Sequence, residues 1–86
     1  MYHIEVTDTF GGEANYCWVR RSTTKATTRR GVVRAIKAEM GITGERASVR
    51  DYWDSNGDGY AVTPTGRNAP CIIGFADWRD DDDGDQ

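Results

Sequence analysis

Asp54, Asn56 and Asp58 stand at every second position in "WDSNGDGYAV", with Gly59 directly after the last. Oxygen ligands at positions one, three and five, a glycine at six and a backbone carbonyl at seven (here Tyr60) suit a calcium loop of the helix-loop-helix kind. Position twelve of such a loop should be a bidentate Glu, and here it is Thr65. The flanks "SVRDYW" and "YAVT" are also strand-like rather than helical. The same residues spell a tight hairpin, because Asn56-Gly57 and Asp58-Gly59 tolerate the positive φ angles such turns require. A turn is expected, and no metal ligand or cofactor is assigned.

Catalytic chemistry finds little else to work with. His3 is the only histidine, on the outward face of a strand, where a solvated side chain is the usual outcome. No Ser, Cys or Lys has a recognisable nucleophile context. "GGEAN" lacks the lysine and the following helix of a phosphate loop. An enzyme is not expected.

Charge is distributed more tellingly than the net value of −3 suggests. Residues 20–50 carry nine bases and two acids, and residues 51–86 carry two bases and nine acids. Two binding surfaces are therefore open. One is basic: Arg29, Arg30, Arg34 and Lys37 gather around a helix start, with Arg20, Arg21 and Lys25 just before, as phosphates would favour. The other is acidic: Asp77, Asp80, Asp81, Asp82 and Asp83 near the C-terminus, with Asp51, Asp54 and Asp58 as a second patch on the hairpin. Spaced carboxylates of this kind can occupy a basic channel built for nucleic acid.

The elements that position these groups are readable from periodicity. "YHIEVTD" alternates with Tyr2, Ile4 and Val6 on one face, Gly11-Gly12 marks a turn or a bulge, and "YCWVRR" returns as a second strand. Next comes one helix, capped by Thr27 or Thr28 and stopped by Gly41, with an apolar stripe of Val33, Ile36 and Met40 and with Val32 and Ala35 beside it. Arg30, Arg34 and Lys37 form a neighbouring stripe. "ASVRDYW", "YAVTP" and "CIIGFADW" read as three more strands. The expected fold class is α+β: an antiparallel β-sheet of four to five strands in ββαβββ order with one helix packed on one face. One helix covers one sheet face, so the other is left to solvent or a partner. Tyr16, Trp18, Tyr52, Trp53 and Tyr60 are the aromatics available to it. Residues 1–79 are read as a single domain and residues 80–86 as a disordered acidic tail.

Cys17 and Cys71 sit in apolar or aromatic stretches and read as reduced, half-buried residues of a cytosolic protein, with a cross-strand disulfide as the alternative. "MYHIEVTDTF" has no basic start and no apolar run, and "APCIIGFA" is far shorter than a membrane span. A cytoplasmic location, no membrane association and a monomer or homodimer are expected.

"VTDTFGGEANYCWVRR", followed by a short helix and a Tyr/Trp-rich hairpin, resembles small proteins of phages and mobile elements. The chain's size and acidic balance are similar to those of anti-CRISPR proteins, and "GFADW" before an acidic run resembles an acidic DNA-mimicking member. The resemblance implies a non-enzymatic inhibitor in the cytoplasm of a bacterial host. It would block nucleic-acid binding by a CRISPR effector, with the carboxylates meeting the target's Lys and Arg. The alternative is a small nucleic-acid-binding accessory protein using Arg29, Arg30, Arg34 and Lys37.

Overall fold

The structure, a computed structural model, describes residues 1–54, 57–66 and 68–79, with the side chains of residues 52–58 outside that description. Five strands and one helix follow one another as β1 (Tyr2–Phe10), β2 (Glu13–Thr24), α1 (Arg29–Met40), β3 (Ala47–Asp54), β4 (Gly57–Pro64) and β5 (Ile72–Trp78). All five strands form one antiparallel sheet in the order β2-β1-β5-β4-β3. The expected α+β fold is the one observed. β3 and β4 pair from Ala47↔Pro64 to Asp54↔Gly57, so the quoted loop is a β-hairpin with strands on both sides. Residues 80–86, read as a tail, lie outside the described residues.

Alternation along β1 sends Tyr2, Ile4 and Val6 to one face, where they are buried with Val62, Ala76, Ile42 and the helix residues Val32, Ile36 and Met40. The buried stripe of α1 therefore runs through Val32, Ile36 and Met40, whereas Val33 is only half-buried beside it. Both versions satisfy helical spacing, and the direction in which the helix crosses the sheet selects the first. Tyr2, Tyr60 and Trp78 close one end of this core, with ring centroids 5.8 Å and 5.1 Å from Tyr2. Tyr60 thus belongs to the helix-covered face and not to the open one.

The helix docks over the middle of the sheet because β5 presents Gly74 there. A Cβ at that position would stand 2.5 Å from Ile36 Cγ2 and 2.7 Å from Met40 Sδ. The glycine lets backbone and helix approach by roughly the thickness of a methyl group.

Thr28 caps the start: its hydroxyl accepts from the Gly31 N–H at 3.1 Å. The end is closed by Gly41 at φ 78°, whose N–H donates to Ala38 O, followed by Ile42 N–H to Lys37 O. Thr28→Ala should lower stability by about 1 kcal/mol in chemical denaturation, with the binding surfaces unchanged.

Candidate nucleic-acid interface

Pleating and register scatter the basic cluster that looks continuous in sequence. Adjacent residues of β2 point to opposite faces, so Arg20 and Arg21 part company. Arg20, on the helix side, donates to Glu39 O at 2.8 Å and lies 3.8 Å from the Glu39 carboxylate. Its guanidinium also sits 5.7 Å above the Trp18 ring. Arg21, on the open side, meets Glu5 at 3.1 Å across the β1–β2 register. Arg29 meets Asp51 of β3 at 3.0 Å.

Arg30, Arg34 and Lys37 remain together. They line a shallow groove of about 360 Å³ with Val33, Thr43 and Gly44, between α1 and the turn that leads into β3. Arg30 and Arg34 are exposed, and neither is ion-paired with a carboxylate among the described residues. Lys37 Nζ donates to the Glu45 carbonyl at 2.7 Å, a neutral acceptor that fixes the ammonium without cancelling its charge. The groove is thus cationic with an apolar residue, Val33, in its wall. No family model, curated protein or solved structure matches this chain.

The expected sites fare unequally against this geometry. Arg30, Arg34 and Lys37 are brought together, while Arg29 is turned away to Asp51. The helix start offers less to a phosphate than its sequence suggests, because Thr28 already occupies the Gly31 N–H. Among the acids, Asp51 is engaged by Arg29, and Asp77 is half-buried on β5, paired in register with His3 and Gly59. Asp54 and Asp58 flank the hairpin turn, with their side chains outside the description, and Asp80, Asp81, Asp82 and Asp83 lie outside the described residues. Residues 1–79 carry eleven bases and nine acids, so this part of the chain is weakly basic.

The β1–β2 hairpin carries a bulge beyond the Gly11-Gly12 turn, within β2 itself. Thr7 pairs with Val19 but Thr9 pairs with Ala14, so residues 15–18 of β2 bulge out opposite Asp8 alone. The Asp8 carboxylate holds the bulge, accepting from Asn15 Nδ2 at 2.9 Å and from the Cys17 N–H at 2.8 Å. The Thr7 hydroxyl, fully buried, donates to Trp18 O at 2.9 Å and accepts from the Tyr16 N–H at 3.0 Å. Tyr16 is held at φ 58°, a left-handed conformation costly for an aromatic residue. The result is an exposed set of large side chains, Phe10 at 79%, Tyr16 at 55% and Trp18 at 42%. Cys17 in the bulge and Cys71 before β5 are both free thiols and both exposed, not half-buried as their apolar neighbours suggested. The Thr7-Asp8 pair ahead of a Gly-Gly turn was the available signal, but alternation marks Thr7 as an outward polar residue and gives Asp8 no partner.

The Asn15 amide does most to hold the Asp8 carboxyl below its ordinary value of 3.8; partial burial opposes it, and the Cys17 N–H, the Thr7 hydroxyl and the Trp18 N–H add to the lowering. A carboxyl depressed in the folded state stabilises above its unfolded value and loses that contribution as the pH falls through the folded one. The Cys17 amide resonance should therefore titrate with a midpoint below pH 3.8, the ordinary carboxyl value. Asp8→Asn should abolish that transition. Thr7→Val should cost about 1–3 kcal/mol, because it leaves the Tyr16 N–H and Trp18 carbonyl without their buried partner.

Proposed function

We propose that this is a non-enzymatic nucleic-acid-binding protein that uses the α1 groove. The observation that carries this reading is the convergence of Arg30, Arg34 and Lys37 on one groove that no described carboxylate lines, while Arg20, Arg21 and Arg29 are each taken up by an acid of the chain. Uncompensated cations on a rigid helix gain by releasing counterions from phosphates, a contribution that is independent of sequence and steep in salt. The five acids beyond residue 79 oppose it electrostatically. The test is fluorescence anisotropy with labelled oligonucleotides in about 50 mM and 200 mM salt, using the full chain and a version ending at Arg79. Both should bind, the shorter more tightly, and both should weaken at the higher salt. Failure of both to bind at the lower salt refutes the reading.

A second reading is an inhibitor of the anti-CRISPR type that binds a nucleic-acid-handling protein. Exposed Phe10, Tyr16 and Trp18 favour it, since aromatic anchors on a rigid support dominate protein interfaces. In that case the aromatics, rather than Asp51, carry the contact. Alanine at Tyr16 and Trp18 should then abolish partner binding while leaving oligonucleotide affinity unchanged, and retained partner binding would exclude it.

A further inference from the structure

We infer that the α1 groove takes single-stranded nucleic acid, with one unstacked nucleotide seated over Val33 and its flanking phosphates held by Arg30, Arg34 and Lys37. This rests on the reading of the groove as a nucleic-acid site and names the form of nucleic acid that fits it.

Three observations point away from a duplex. First, the cations line a concavity rather than a ridge. The volume of about 360 Å³ lies at the small end of ligand pockets, the size of one nucleotide rather than of a double helix. Second, an apolar side chain is in the groove wall. Val33 is half-buried, and its outer surface lies in the groove. In a duplex the base faces are stacked inside and only sugar and phosphate would reach this surface. An unstacked base offers the apolar face that Val33 can cover. Third, the positive surface is narrow. Arg30 and Arg34 are one helical turn apart, about 6 Å of rise, which suits neighbouring phosphates of one strand. Arg20 and Arg29, which would widen the footprint on the helix side, are held by Glu39 and Asp51 instead.

The polar contacts of the groove follow from the same geometry. Lys37 is braced by the Glu45 carbonyl, so its ammonium is pre-positioned as a point charge. The Arg30 and Arg34 guanidinium groups are planar and able to bind a phosphate by two parallel N–H donors. Thr43, from the turn that leads into β3, also lines the groove and brings a hydroxyl of the kind that suits a sugar or a base edge. Nothing here reads a particular base, so sequence preference should be weak.

The test compares three probes of equal phosphate number with the full chain by anisotropy: a mixed-sequence single strand, the same strand as a blunt duplex, and an abasic single strand. The single strand is expected to bind roughly tenfold or more tightly than either of the others at equal salt. Equal affinity for the single strand and the abasic strand, or tighter binding of the duplex, overturns the inference while leaving the groove as a phosphate-binding surface. If no probe binds, the reading beneath it falls as well. Val33→Ser should narrow the gap between the single and abasic strands, and the wild-type comparison stands whether or not that variant folds.

Discussion

Replacing Arg30, Arg34 and Lys37 together with alanine should lower affinity for every oligonucleotide by on the order of a hundredfold or more in low salt. The slope of log affinity against log salt should flatten by about 2–3, because each lost phosphate contact removes about 0.7–0.9 of it. The effect should be uniform across sequences, since phosphate contacts position a nucleic acid without reading it. The variant should fold normally: Arg30 and Arg34 are exposed, and Lys37 contributes only its bond to the Glu45 carbonyl. Arg21→Ala is the matched control. It removes one cation from the opposite sheet face, where Glu5 already neutralises it, and should leave both quantities nearly unchanged. An unchanged slope in the triple variant would place the binding surface elsewhere.

The largest effect on stability is expected at the contact that docks α1 on the sheet. Ile36 is fully buried and packs against β5 at Gly74. Ile36→Ala should cost about 2–5 kcal/mol. For so short a chain that is a large share of a total of about 5–10 kcal/mol. Gly74→Ala is destabilising for the opposite reason. Its Cβ would enter within 2.5 Å of Ile36 Cγ2, a branch held stiffly by the helix, and within 2.7 Å of Met40 Sδ, a flexible group that can move aside. Overpacking of this kind costs about 1–3 kcal/mol. Because the two substitutions act on the same few atoms, their costs should not add. Ile36→Ala removes the methyl group that the Cβ introduced by Gly74→Ala would strike, so the double variant should be more stable than the sum by at least about 0.5 kcal/mol in denaturant titrations. Simple additivity would show that the helix does not rest on Gly74.

The elements could be read from the sequence because their signals are local. Alternation in "YHIEV", a threonine cap, a glycine stop and the glycine-rich hairpin each act over a few residues, and each appears in the structure. What escaped depends on strand register, which places residues far apart in sequence side by side. Arg20, Arg21 and Arg29 look like part of one basic patch until β-pleating and pairing bring Glu39, Glu5 and Asp51 to them. The bulge at residues 15–18 escaped because it rests on a hydroxyl and a carboxylate of the neighbouring strand, while Tyr16 and Trp18 alternate as though the strand were regular. Val33 reads as a core residue because helical spacing permits two stripes, and only the crossing of α1 over β5 chooses Val32. The groove follows from that choice: turning Val33 half out of the core leaves it beside Arg30, Arg34 and Lys37.

The most direct test of the central claim is an amide chemical-shift map of the full chain titrated with a short single-stranded oligonucleotide in low salt. Perturbations should gather at Arg30, Val33, Arg34, Lys37, Thr43 and Gly44, and should fade as salt is raised. Perturbations centred on Phe10, Tyr16 and Trp18, or none at all, would contradict the α1 groove as the binding surface of this protein.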